Sequence, residues 1–184
     1  LMGVDMLRKI MDAIAELQSV PVETDEIPEA LCLYDNYSRK LRNRYESYDY
    51  TRFPESETVF TELCQSLDKY ENSNSGRISV IHGDTVLTNI LIDRNENIKF
   101  IDMRGSVGDV YTIYGDWLYD WAKLYQSLIG YDKILLGKKL TSLYEKGLRD
   151  HFIKYFIEKY SREDFDNLVI ITKSLIFSLI PLHN

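Results

Sequence analysis

The sequence predicts an α+β fold that is mostly α-helical, with a small β element set between two helical stretches. Two observations carry that prediction. Apolar residues recur at helical spacing over residues 6–17, 59–70, 148–160 and 165–179. Between the second and third of these stretches lie three short β-rich runs, at 78–81, 90–92 and 98–101, each ending in polar residues. With 184 residues the chain is one ordinary domain or one lobe of a larger one, and 45% apolar content is enough to bury a sizeable core.

Taken in order, Met6, Leu7, Ile10, Met11, Ile14 and Leu17 form one apolar stripe, which Pro21 closes. Residues 21–27 are acidic and read as a loop, and Pro28 suits the first turn of a following helix. Residues 34–53 interleave Tyr34, Tyr37, Tyr45, Tyr48 and Tyr50 with Arg39, Lys40, Arg42, Arg44 and Arg52. Such a mixture suits nucleic acid, but a net charge of −7 argues against that partner. The expected arrangement is a surface helix and loop with its aromatics packed beneath a basic face. Tyr faces there also suit a wall for a quaternary ammonium group.

Pro54 leads into a helix carrying Val59, Phe60, Leu63, Cys64, Leu67 and Tyr70, and residues 72–76 are the clearest loop of the chain. Residues 93–97 are a polar turn, so 90–101 reads as a hairpin. Asp116 is placed as N-cap of a helix whose Trp117, Leu118, Trp121, Leu124 and Leu128 give a bulky apolar side. Residues 131–147 carry no clear signal, and 135–140 fit a hairpin or a helix containing Gly137. A capping-box-like Ser161-Arg162-Glu163-Asp164 restarts the last helix, apolar enough to be buried and to call for a covering segment or partner.

Cys32 and Cys64 have no metal spacing and sit among apolar neighbours, as free thiols in a reducing compartment would. No run of eighteen apolar residues and no signal peptide occurs in the sequence. A cytoplasmic chain with no membrane or nucleic-acid partner is expected. Oligomeric state leaves no mark in the sequence.

The chemistry is written in Ile81-His82-Gly83-Asp84-Thr85-Val86-Leu87-Thr88-Asn89, followed by Phe100-Ile101-Asp102-Met103-Arg104. Two carboxylates and one carboxamide stand where short strands stop. Phosphoryl transfer asks for such a set: a carboxylate to orient a hydroxyl and take its proton, and hard oxygens for Mg²⁺. Asp84 would be the base, with Asn89 and Asp102 the metal ligands. Gly83 allows the reversal that points Asp84 outward. A histidine at the position of His82 suits a general base. Arg104 offers a planar donor pair to a substrate phosphate or carboxylate, or an ion pair with Asp109.

His-Gly-Asp-x4-Asn, then Ile-Asp, then Gly115-Asp116-x3-Asp120-x-Ala122, resembles the aminoglycoside phosphotransferase and choline kinase family of the protein-kinase-like fold. Thr-Asn-Ile-Leu-Ile-Asp and Ile-Asp-Met-Arg-Gly look closest to kinase-like domains associated with bacterial capsule or surface-sugar synthesis. The resemblance covers about residues 78–124. It implies the C-terminal lobe of that fold, Mg²⁺ with ATP or GTP as co-substrate, and a small-molecule acceptor: an aminoglycoside, choline or ethanolamine, or a sugar. It also implies that His82 gives the catalytic loop structural support in place of acting as a base, that Asp116 braces that loop, and that the other motif residues act as assigned above. Thr85 to Thr88 depart from the usual filling of this loop, as do Met103-Arg104 after Asp102.

The sequence holds no Gly-x-Gly-x-x-Gly. The small ATP-binding lobe is therefore expected outside these residues, and the lobe alone is expected to be nearly inactive. Two other classes compete. One is a catalytically inactive kinase-like scaffold module, the other a metal-dependent hydrolase with His82, Asp84 and Asp102 as ligands.

Overall fold

The computed structural model describes residues 2–131, 133, 137 and 143–182, with backbone alone at 143 and 144. Helix α1 (Val4–Gln18) buries Leu7, Ile10, Met11 and Ile14, the four inner positions of the stripe expected from the sequence. Helix α2 (Ser38–Glu46) and helix α3 (Ser56–Asn72) follow. Six short strands come next: β1 (Ile78–Val80), β2 (Ile90–Ile92), β3 (Ile98–Phe100), β4 (Ser106–Val107), β5 (Val110–Tyr111) and β6 (Tyr114–Asp116). Three helices end the described chain: α4 (Leu118–Leu128), α5 (Leu143–Lys159) and α6 (Arg162–Phe177). The fold is α+β, as expected.

Helix α4 is the centre of the core. Leu118, Tyr119, Trp121, Ala122 and Leu124 are each at most 1% exposed, so the helix is covered all round, as an apolar helix must be in water. Helix α6 packs on it most extensively and α5 to a lesser extent, while α1 packs on α5 and α3 on α6. Trp121 stands among Phe152, Phe156 and Tyr160, with ring centroids 5.4–6.2 Å away, and its Nε1 donates to Gln18 Oε1 at 2.9 Å.

The strands form three separate antiparallel pairs: β1 with β6, β2 with β3, and β4 with β5. The β2–β3 pair is the expected hairpin, in the register Ile90–Phe100, Leu91–Lys99, Ile92–Ile98. In the β1–β6 pair Gly115 leaves room for Ile81, whose Cδ1 would stand 2.3 Å from a Cβ at that position. Ser79, on the opposite face of β1 from its apolar neighbours, is buried too, and its hydroxyl donates to the Gln18 carbonyl at 3.3 Å.

Several expectations change. Pro28 opens only a turn, with Leu31 N donating to the Pro28 carbonyl, and further turns delay the helix to Ser38. Those turns let Tyr34 reach the Gly76 amide and Tyr37 reach Asp116, so tertiary hydrogen bonds override the local helix start. The aromatics of 34–53 do pack inward: Tyr45 stacks on Phe60 at 3.9 Å and Tyr50 on Phe177 at 5.1 Å. The stretch 135–140 lies, Gly137 apart, outside the described residues.

Ser161 caps α6, its Oγ accepting from Asp164 N at 3.0 Å. By length and hydropathy the span Arg162–Leu182 would suit a membrane. Its inner face, however, buries Phe165, Leu168, Ile171 and Leu175 in the core against α3 and α4.

Replacing Trp121 by Ala removes the largest fully buried side chain. The loss expected is about 3–5 kcal/mol, read as a lower urea midpoint with an unchanged slope.

Candidate active site

The site forms where β1 runs out. Ile81 N still donates to the Ile113 carbonyl at 2.8 Å, and the chain then reverses at Gly83, whose φ is +82°. A Cβ on Gly83 would also stand 2.8 Å from Arg104 Cβ, so both backbone angle and space require glycine.

The reversal is held by Asp120, in the first turn of α4. Its two carboxylate oxygens accept from His82 N at 2.8 Å and Gly83 N at 2.7 Å, while its carbonyl accepts from Thr85 Oγ1 at 2.5 Å. Burial pushes the Asp120 carboxyl up to about 6, against the pull of those two amides towards the charged form. Two consecutive N–H groups satisfy a carboxylate that is wholly out of water.

Asp84 follows, partly exposed. Its Oδ1 lies 3.0 Å from Lys123 Nζ, and its Oδ2 accepts from Asn89 Nδ2 at 3.1 Å. The same Asn89 amide donates to the Asp84 carbonyl at 3.0 Å, closing the Asp-x4-Asn loop on itself. With Nδ2 engaged in both bonds, Asn89 Oδ1, a hard oxygen, takes no part in closing the loop.

Asp102 is brought to this loop by backbone bonds on either side of it. Ile101 N donates to the Asn89 carbonyl and Arg104 N to the His82 carbonyl, both at 3.0 Å. Asp102 itself takes φ = +57°, a left-handed conformation that is uncommon outside glycine. Its exposed carboxylate makes no hydrogen bond or ion pair among the described residues. The backbone thus holds a free carboxylate beside Asn89, and the pair fits a hard cation such as Mg²⁺.

His82 is buried. Its Nδ1 accepts from Asp84 N at 3.3 Å, and its ring lies 5.6 Å from that of Phe100. Burial pulls its pKa below the ordinary value, with Asp84 acting in the opposite sense. Its contacts join the loop to the end of β3, and its Nε2 is buried without a hydrogen-bond partner among the described residues. Among the described residues no cluster of three or more His, Cys, Asp or Glu stands ready for a metal, as the hydrolase alternative would need.

Two assignments move. Asp116 does not touch the catalytic loop: its carboxylate accepts from Tyr37 OH at 2.7 Å, Tyr70 OH at 2.8 Å and Arg77 N at 3.1 Å, and burial raises its pKa. It fastens α2 and α3 to the β1–β6 pair, while the bracing of the loop falls to Asp120 one helical turn later. The capping position of α4 belongs to Trp117. Arg104 makes no pair with Asp109, which lies 3.6 Å from Arg39; Arg104 Nη1 instead donates to Tyr119 OH at 2.8 Å.

Sequence reasoning quoted Asp120 within the family motif but gave it no role, and it passed over Lys123. The signal was available: two charged residues three apart on a helix otherwise built of core residues.

Protonating Asp120 would replace two charge-assisted acceptors by a weaker pair. The folded pKa is raised, so acid does not cost stability through this group; it loosens the loop instead. The His82 and Gly83 amide resonances should shift together with a midpoint near pH 6, and the shift should vanish in Asp120→Asn.

A model of the phosphotransferase enzyme family matches residues 4–133, from α1 through the catalytic loop, Asp102 and α4. No curated protein and no solved structure matches the chain significantly. The family match takes in more than half the chain and every residue placed in the site, so the chain belongs to the phosphotransferase enzyme family.

Proposed function

We propose that the chain is the larger, C-terminal lobe of a kinase-like enzyme that moves the γ-phosphate of ATP or GTP to a hydroxyl of a small molecule. The observation that carries this reading is the fixed trio: Asp84 in a loop pinned by Asp120, Asn89 closing that loop, and the unpaired Asp102 locked beside it. Asn89 Oδ1 and the Asp102 carboxylate would hold Mg²⁺, which would offset the charge of the nucleotide phosphates.

The chain's own residues do the rest. Asp84 accepts a hydrogen bond from the acceptor hydroxyl and aims its oxygen at the γ-phosphorus. As the new O–P bond forms, the bond from phosphorus to the bridging oxygen breaks, the nucleoside diphosphate leaves, and the hydroxyl proton passes to Asp84. Lys123, 3.0 Å from Asp84, holds that carboxylate in line and sets a positive charge beside the transferred group.

Leu91 and Met103, exposed by 50% and 45%, stand next to the metal-binding residues and offer an apolar floor to a nucleobase or a covering lobe. The reading places the reaction in the cytoplasm, where Cys32 and Cys64 stay free thiols.

The test is consumption of ATP and GTP with Mg²⁺ by the full-length protein against aminoglycosides, choline, ethanolamine and sugars. Turnover on one acceptor class is expected, falling about 10²–10⁴-fold in Asp84→Asn. Nucleotide binding without any turnover would favour a scaffold module instead, and undiminished turnover in the variant would refute Asp84 as the base.

A further inference from the structure

Beside the catalytic loop, between α2 and the segment from Arg104 to Asp109, lies a pocket of about 290 Å³ whose charged lining includes Asp35, Arg39, Lys40, Arg44, Arg104 and Asp109. The chain as a whole is acidic, with a net charge of −7, so a basic pocket runs against its average. Arg39 meets both acids of the lining, Asp35 at 3.0 Å and Asp109 at 3.6 Å.

The other three cations have no acid. Arg44 donates to the Ser178 carbonyl and Arg104 to the Tyr119 hydroxyl. Lys40 has neither a hydrogen bond nor an ion pair among the described residues. Helix α2 sets Lys40 and Arg44 four residues apart on one face, and Arg104 lines the same pocket from the segment after Asp102.

Through Arg104 the pocket adjoins the Asp84 loop. Arg104 is bonded through its own N–H to the His82 carbonyl at 3.0 Å, and its Cβ packs on Gly83. Lys40 lies within the electrostatic reach of Asp84 and Lys123. Lys40, Arg44 and Arg104 repel one another in this partly buried space, because the two carboxylates of the lining are taken by Arg39. Burial first, then Arg104, Arg44 and Lys123, push the Lys40 pKa down to about 7, with Asp84 alone in the opposite direction. The site is short of negative charge, and an anion would supply it.

We propose that this pocket binds the acceptor through an anionic substituent, so that the substrate is a hydroxylated small molecule bearing a phosphate or a carboxylate, and that Lys40, Arg44 and Arg104 determine this specificity. The proposal rests on the phosphotransfer reading above and names its acceptor class. Planar guanidinium forks suit either oxyanion, and the volume suits one sugar ring better than an extended aminoglycoside. A cationic acceptor such as choline would meet repulsion here.

Binding of a hexose 6-phosphate, a hexuronate, the neutral hexose and choline to the full-length protein is measured by calorimetry. At least one charged sugar should bind about tenfold or more tightly than the neutral one; the phosphate and carboxylate arms tell which anion is preferred. Lys40→Met and Arg104→Gln should each remove that preference. Lys40→Met should do so without lowering Tm, because its ammonium has no partner to lose.

Equal binding of charged and neutral sugars, tighter binding of choline, or variants that weaken Mg·ATP in place of the sugar would overturn the proposal. Mg·ATP binding is read separately, with Asp102→Asn as control. If it is absent the phosphotransfer reading falls and takes the acceptor proposal with it. If it is present while the anion preference is missing, the acceptor proposal alone falls.

Discussion

The carboxylate of Asp120 holds two consecutive amides of the His82–Asp84 reversal, while the carbonyl of the same residue accepts from Thr85. One residue of the most buried helix therefore fixes the backbone on both sides of Asp84. An ionised carboxylate in the core is costly unless it is fully hydrogen-bonded, and here the loop itself supplies the donors. Folding of α4 into the core and formation of the catalytic loop are then one event: neither the acid nor the amides are satisfied alone.

A second buried carboxylate works one turn earlier. Asp116 gathers Tyr37, Tyr70 and Arg77 N, joining α2, α3 and the β1–β6 pair. The two acids divide the task, one securing the platform and the other the loop built on it. The loop then needs only Asn89 to close it and the two backbone bonds around Asp102 to bring in the second carboxylate. Sequence distance is bridged by backbone geometry, which leaves the Asp102 side chain free for a ligand. Phosphoryl transfer relies on placement and charge more than on covalent work, so such rigid placement is where the chemistry resides.

Much of this was legible in the sequence, for physical reasons. Helices with one apolar stripe announce themselves, as Leu7, Ile10, Met11 and Ile14 do, and so does a hairpin with a polar turn such as 90–101. The order Asp84, Asn89, Asp102 with strands between them pointed to residues that the fold does bring together. Strands β4, β5 and β6, two or three residues each, are too short to show a period, and their pairing is set by what lies across from them. The choice between Asp116 and Asp120 as loop brace was equally hidden, because both lie near the start of one helix and only the tertiary position of β1 decides which meets the loop. Lys40 looked like one charge on a basic surface face. Its approach to Arg104 joins residues 64 apart in sequence.

The central claim is that the Asp84 loop and Asp102 together make a metal–nucleotide site. Paramagnetic Mn²⁺, used as a reporter for Mg²⁺, tests it most directly through broadening of assigned amide resonances with and without ATP. The account predicts that broadening with ATP centres on Asn89 and Asp102 and is lost in Asp102→Asn. Broadening centred on His82 without nucleotide, or none near Asn89 and Asp102 when ATP is bound, would contradict it.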